Sequence, residues 1–448
     1  MFVYRYRGAA FTVKPTDRAI PPTAESIRER LPDLRRDFHR YPEPAWCEFH
    51  TTGRLVEELR TIGVDELAIG PEAYDPADRM AVPSDERLAD WKERARERGV
   101  DPDLLDRMDG GNTGVVAVLD RGEGPTVGLR VDIDGLFIDE SDGEGHLPVA
   151  EGFRSETGET MHACGHDAHM TWGLATLEAV AESDFSGRLV VFFQPAEEVS
   201  GGGHPMAESE YAVDLDYLFA VHVGLDHPTG EVVAGIERPL AMCHLDVEVR
   251  GTSAHAAKAP HTGNNAIQAL GTAIGEVYAV PRHAEGMTRV NVGRVEGGTA
   301  SNVIAERVEA VAEARGETTE LMEYAKAELT RRFEGAAGAY GCEAHVDVVS
   351  ESPRADSDPE LAAVVERVAE SVDDVGTVLS TADFGASEDA TFLMERVQNT
   401  GGLATYLIVG TDHLTSHHTP TFDVDERSLK TGVEVLTGSI LSVATDGP

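Results

Sequence analysis

The chain is short of the residues that mark several protein classes. Only four cysteines occur in 448 residues, Cys47, Cys164, Cys243 and Cys342, with no Cys-x-x-Cys pair and no cysteine-dense segment. That excludes a disulfide-stapled scaffold and fits a reducing compartment. The five lysines (Lys14, Lys92, Lys258, Lys326 and Lys430) are far outnumbered by arginines, and Lys plus Arg total 38 against 80 Asp plus Glu, a net charge of −42. A field of that sign repels nucleic acid and anionic membranes, so neither is expected as a partner. No apolar run is long enough to span a bilayer, and Met1 to Thr23 has scattered arginines but no stretch suited to a signal peptide. A cytoplasmic protein is the expectation.

Apolar residues make up 41% of the chain, enough for more than one core, and at this length two domains are expected. The acids are spread along periodic segments rather than blocked into a tail, which argues for a folded protein in an acidic shell. Such a shell serves simple solubility or adaptation to concentrated salt. The second is preferred, because at ~1 M salt the Debye length falls to about 3 Å and self-repulsion is screened.

Periodicity predicts helices over 24–38 and 51–62, then a charged excursion over 70–112 with one amphipathic patch at 88–98. This excursion is expected on the surface, near a site mouth or as solvated decoration. Four apolar segments, 125–133, 188–193, 217–221 and 403–409, read as strands. Acids or histidines follow each: Asp132 and Asp134, then Glu197 and Glu198, then His222, and last His413, His417 and His418. Open α/β sheets bind ligands at that edge. Between the third and fourth, segments 244–250, 264–280, 289–295, 307–315, 317–340 and 343–349 read as β-α-β-β-α-β, a ferredoxin-like module able to fold by itself. Helices over 359–372, 389–396 and 425–444 complete the chain. The expected fold is α/β, a catalytic domain of residues 1–242 and 352–448 interrupted by the module at 243–351.

The densest chemistry lies in Met161-His162-Ala163-Cys164-Gly165-His166-Asp167-Ala168-His169. Cys164 and His166 flank one glycine, so in a bent loop both can face one point, and thiolate with imidazole suits Zn²⁺ and related metals. Taken alone, the pair is equally a buried cysteine beside a histidine that caps the helix over 167–180. Glu197-Glu198 adds a second element. Neighbours in an extended segment point to opposite sides, so one can ligate a metal of a two-metal centre while the other faces the substrate water and later passes a proton to a leaving nitrogen. That is the chemistry of amide hydrolysis.

The segment His162 to Asp167, Phe193-Gln194-Pro195-Ala196-Glu197-Glu198, and His255-Ala256 after Gly251 together resemble the peptidase M20 family, in its aminoacylase-like amidohydrolase branch, over nearly the whole chain. Trp46-Cys47-Glu48-Phe49, Arg289-Val290-Asn291-Val292-Gly293, Ser387-Glu388-Asp389-Ala390-Thr391 and the insertion after Gly70 are similar to that family's aminobenzoyl-glutamate hydrolase subgroup. The resemblance implies a metal-dependent exopeptidase-like catalytic domain with an inserted ferredoxin-like dimerisation or lid domain. It implies two divalent ions, Mn²⁺ or Zn²⁺, held by Cys164, His166, Glu198, His222 and His418, with Glu197 as general base and Asp132 steadying the metal environment. His418 is taken over His417 because it directly precedes Thr419-Pro420. The resemblance further implies that His255 reaches across a dimer to the scissile amide, and that Asn302 and Arg315 hold the substrate's carboxylate, a task that suits a guanidinium fork. Without it, Arg315 reads as an exposed strand arginine. Gly135 and Phe137 stand where many relatives carry Ala and Pro, which bears on the pocket wall. The activity implied is cleavage of a small N-acyl amino acid, aminobenzoyl-glutamate-like, by a homodimer or a complex with a homologous second subunit. Alternatives are a general aminoacylase or carboxypeptidase, and a noncatalytic paralogue that partners an active subunit.

Overall fold

Val127 to Val131, Leu189 to Phe193 and Leu218 to Val221 are buried at successive rather than alternate positions, so both faces of the sheet they form are covered. The computed structural model describes residues 25–412 and 416–448; the Met1 to Thr23 segment and His413 lie outside the described residues. Across the sheet the strands run Glu66–Ile69, Val115–Asp120, Arg188–Gln194, Thr126–Asp132, Tyr217–Val223, Leu403–Val409, Glu231–Val233 and Thr377–Leu379. From Arg188–Gln194 to Leu403–Val409 the pairing is parallel, and antiparallel pairs flank that block. Gln194, Asp132, Val223 and Val409 therefore end on one edge. Three outer strands, Glu66–Ile69, Glu231–Val233 and Thr377–Leu379, were not expected, because three or four residues carry too little periodicity to be recognised.

The helix His166–Ala181 packs on the central strands and is covered in turn by Arg427–Asp446 and Glu25–Arg40. Every residue from His166 to Leu177 is buried, as a helix enclosed on all sides requires. A Cβ added at Gly432 would lie 2.3 Å from the Trp172 ring, so only glycine lets the two helices approach this closely. The burial brings the amino end of His166–Ala181, with its chemistry, under the carboxyl edge of the sheet.

A second sheet runs Thr288–Gly297, Arg307–Gly316, Ala241–Arg250, Glu343–Ser352, all antiparallel. Here alternation replaces continuous burial: Val308, Ala310, Ala312 and Ala314 are buried while Arg307, Glu309 and Val311 face solvent. The buried side packs on helices Ala266–Val277 and Thr319–Ala339 around a separate core that includes Leu245, Val249, Leu270, Leu329 and Phe333. In sequence the order is β-α-β-β-α-β, apart from the two-residue strands Ala254–His255 and Val303–Ile304, which pair with each other. The first and last strands are neighbours, with Met242 opposite Ser352, so the chain leaves and rejoins the larger unit at one place.

The 70–112 excursion is not solvated decoration. Its helices Asp85–Glu97 and Pro102–Arg107 bury Leu88, Trp91, Ala95, Leu104 and Leu105 in the larger core. Its turn bridges units: Trp46 donates from Nε1 to the Met80 carbonyl at 2.8 Å, and the Ala81 N–H donates to the Val349 carbonyl at 2.9 Å. Charged residues on the outer helix faces hid these apolar contacts from a reading of composition. No described helix is long and apolar enough to cross a membrane.

Candidate dimetal hydrolytic site

Gly165 sets the geometry of the first motif. Its φ of +86° is left-handed, and a Cβ there would lie 2.3 Å from Val223 Cγ1, so glycine alone permits the bend that aims Cys164 and His166 together. Cys164, His166 and His222 present Sγ and ring nitrogens within 4.8 Å of one another, and Cys164, Glu198 and His418 present Sγ, a carboxylate oxygen and a ring nitrogen within the same distance. Cys164 Sγ is 3.4 Å from His222 Nε2, His166 Nε2 is 3.7 Å from Glu198 Oε1, and His418 Nε2 is 3.5 Å from Glu198 Oε2. The five residues named as ligands thus come from a loop, a helix start, a turn, a strand end and a distant loop to one place.

The donor set has the character of a cation site. His166 Nδ1 is 2.9 Å from the Asp134 carbonyl and His222 Nδ1 is 2.8 Å from the Val223 carbonyl, so both rings donate backward and turn Nε2 toward the cluster. Among the described residues, buried His166 Nε2 and Glu198 Oε1 have no hydrogen-bond partner. Buried polar atoms are normally paired, so two orphans 3.7 Å apart fit a shared metal. Electrostatics agree. Burial, with Glu198 and Glu197 beside it, pushes the Cys164 thiol up; burial lifts Glu198 to about 8 against the pull of His166. Burial disfavours charge on His166, yet Asp132 and its other carboxylate neighbours raise it to about 10. The cluster is short of positive charge, which divalent cations supply.

Glu197 and Glu198 do not lie in an extended segment as expected. They open a 3₁₀ turn, Glu197–Val199, entered through Ala196 at φ +57°. Asp134 shapes it, one carboxylate oxygen accepting the Glu197 N–H and the other the Glu198 N–H, each at 3.1 Å. The side chains diverge. Both carboxylates approach His166 Nε2, Glu198 at 3.7 Å and Glu197 at 3.9 Å; beyond that shared contact Glu198 also joins Cys164 and His418, and Glu197 also joins Asp132 and Glu388. Burial, then the charges of Glu388 and Glu198, raise Glu197 well above the ordinary carboxyl range.

Asp132 is fully buried behind the cluster. It accepts from His169 Nδ1 at 2.5 Å and from Arg130 Nη1 at 2.8 Å, with His166 Nε2 at 3.6 Å. His169 Nε2 accepts the Val223 N–H at 2.9 Å, so both its nitrogens are engaged and it orients Asp132 instead of offering a ligand. The sequence placed Asp134 at the ligand edge without a role and did not mark His169, Arg130 and Glu388 as site residues. All four sit inside the motifs, but their tasks depend on partners far away in sequence. His417 stands against the Val223 carbonyl at 3.1 Å while His418, at φ +61°, turns to Glu198.

His255, Asn302 and Arg315 belong to the second unit. His255 is exposed, its Nδ1 accepting from the Ala257 and Lys258 N–H groups, and among the described residues it makes no hydrogen bond or ion pair with the cluster. Asn302 is exposed on the turn before Val303–Ile304. Arg315 reaches the larger unit, with Nη1 3.5 Å from Ser387 Oγ beside Glu388, while Nε and Nη2 pair with Glu313.

A family model described as Peptidase family M20/M25/M40 matches residues 128–442. Indole-3-acetyl-aspartic acid hydrolase of Enterobacter agglomerans is 36% identical over 430 residues, covering 93% of this chain and 97% of its own. A p-aminobenzoyl-glutamate hydrolase subunit of Escherichia coli is 36% identical over 421 residues, covering 93% and 96%. In structure, the aminobenzoyl-glutamate utilization protein from Klebsiella pneumoniae matches with a TM-score of 0.81 at 31% identity, over 95% of this chain and 99% of that one. With the α/β core, the inserted antiparallel sheet and the Cys164-Gly165-His166 and Glu197-Glu198 motifs at one edge, these matches make the chain a member of peptidase family M20/M25/M40.

Proposed function

We propose that this protein hydrolyses the amide bond of an N-acyl acidic amino acid, an aminobenzoyl-glutamate-like substrate, with two divalent ions, Mn²⁺ or Zn²⁺, held by Cys164, His166, Glu198, His222 and His418. The observation that carries the reading is the pair of buried unpartnered atoms, His166 Nε2 and Glu198 Oε1, with Glu197 beside them. The substrate class rests on the two hydrolases at 36% identity, both named for N-acyl conjugates of acidic amino acids. When bound, the ions supply positive charge that acidifies water and polarises the amide carbonyl.

Glu197 acts as general base. Its carboxylate takes a proton from water and delivers it to the leaving nitrogen. Arg315 and Asn302 hold the substrate's carboxylate, the Arg315 fork exchanging Glu313 for substrate. His255, exposed and with no hydrogen bond or ion pair to its own cluster among the described residues, serves the site of a second copy paired through the 243–351 module. That partner is another copy of this chain, or a homologous second subunit, since the Escherichia coli relative is named as one subunit of its hydrolase. A cytoplasmic location is part of the reading, supported by four free, buried cysteines.

The test is a panel of p-aminobenzoyl-glutamate, indole-3-acetyl-aspartate and N-acetyl amino acids, with metal content measured alongside turnover. Glu197→Gln is expected to lower kcat by a factor on the order of 10² to 10⁴ with metal retained, and Glu198→Gln to lose metal. Exchange of those two phenotypes would reverse the roles of the neighbours. No hydrolysis of any conjugate by the metal-loaded wild type would overturn the reading.

A further inference from the structure

The turn that carries Glu197 and Glu198 is gripped from a third side. The N–H groups of Ala196, Glu197 and Glu198 all end on carboxylate oxygens, the last two on Asp134 and the first on Glu48 Oε1 at 2.8 Å. Glu48 is fully buried, and its other oxygen accepts the Thr113 hydroxyl at 2.5 Å. Ala196 itself is fully buried and held at φ +57°, a left-handed conformation that an L-residue keeps only where its surroundings impose it. Its N–H is the only donor it offers, and Glu48 takes it.

Glu48 is in turn held from behind. It is the residue just before the helix Phe49–Ile62, and Glu43, also fully buried, accepts the N–H groups of His50 and Thr51 at 3.0 and 2.8 Å. The Glu43 carbonyl accepts the Gly135 N–H at 2.7 Å, next to Asp134. One segment, Glu43 to Glu48, therefore ties together the two loops that shape the turn. On the far side, Thr113 closes the 70–112 insertion, its carbonyl accepting the Tyr74 hydroxyl at 2.7 Å.

We infer that Glu48 is a positioning residue: through the Ala196 N–H it fixes the left-handed entry to the turn, and so the direction in which Glu197 leaves it. This rests on the amide-hydrolase reading, in which Glu197 is the base. The physical reason is leverage. A change of conformation at Ala196 swings the following residue, and displacement of a catalytic group by about 1 Å is enough to cost about 10²-fold in rate. Thr113 anchors the carboxylate that does this, which gives the insertion a part in the chemistry without contact with substrate.

The test compares Glu48→Ala, Glu48→Gln and Thr113→Val with wild type, all loaded with Mn²⁺ and corrected for metal content. Glu48→Ala is expected to lower kcat about 10- to 100-fold with KM within about twofold, because the interaction acts on the base and not on substrate binding. Glu48→Gln keeps an acceptor for the Ala196 N–H, and kcat should return to within about threefold of wild type. Thr113→Val, which removes only the anchoring hydroxyl, should fall between the two, and it keeps the inference testable if Glu48→Ala fails to fold. In metal-free protein, amide hydrogen exchange over residues 195–201 should quicken in Glu48→Ala. Full kcat in the alanine variant, or a lowered melting temperature with normal turnover per loaded site, would reduce Glu48 to a structural role and overturn the inference. Inactivity of the wild type itself would instead sink the hydrolase reading.

Discussion

Arg130→Met should be among the most damaging single substitutions in this protein, and its effect can be worked from contacts. Arg130 is fully buried, donating to Gln194 Oε1 at 2.9 Å, Asp132 Oδ2 at 2.8 Å and Asp389 Oδ1 at 3.0 Å, with Glu388 Oε1 at 3.1 Å. Methionine fills similar space and strands three buried carboxyls. Removing one partner of a buried pair costs about 3–5 kcal/mol, and with three acids sharing one guanidinium the upper end applies. The cost should also depend on pH. Asp389 stands at about 7, raised by burial, held down by Arg130 and raised again by Glu388; Asp132 is held well below the ordinary range by its cationic neighbours despite burial. Without Arg130 the Asp389 carboxyl rises further, so the folded variant holds a proton that its unfolded chain, with carboxyls near about 4, does not. Stability then falls as pH rises, and the cost should be larger at about pH 8.5 than at about pH 6. Denaturant titration of metal-free protein at both pH values measures it, and adding Glu388→Gln and Asp389→Asn should recover more than half by removing stranded charge. A cost below about 1 kcal/mol, or one that grows as pH falls, would refute the argument.

Chelation should abolish hydrolysis and added Mn²⁺ or Zn²⁺ restore it, whereas Cys164→Ala should bind less metal; full metal content and activity in that variant would return Cys164 to packing. Glu197→Ala and His255→Ala chains, unfolded together and refolded, should recover roughly a quarter of wild-type activity, since about half the dimers are mixed and each holds one intact site. No recovery with exchange proven would put His255 in its own chain's site or outside any. The net charge of −42 predicts a melting temperature that rises from low to molar KCl as self-repulsion is screened, and a temperature lowered or unmoved by salt would refute adaptation to concentrated salt.

The sequence by itself determined the types of the longer elements, because burial leaves a local signature. The unbroken apolar run of Arg188–Gln194 and the alternation of Arg307–Gly316 could each belong only to a sheet covered on both faces and to one covered on a single face. That Glu197 and Glu198 stand beside a strand end, and Cys164 and His166 beside a helix start, was legible for the same reason: element, turn and motif lie within a few residues of each other. Tertiary structure decided which atoms meet. Asp134, an anonymous second aspartate in its motif, becomes the acceptor for two backbone N–H groups of a turn 63 and 64 residues away. His169, as plausible a ligand as His166 by type, is removed from that role because the Val223 N–H and Asp132 claim both its nitrogens. The buried Trp91 and Leu88 of the charged insertion likewise show their role only against the core that covers them. The physical reason is common to all three. Periodicity is a property of neighbours along the chain, whereas a hydrogen-bond partner is fixed by strand order and by a few left-handed residues, Gly165, Ala196 and His418 among them, whose conformations the rest of the fold imposes.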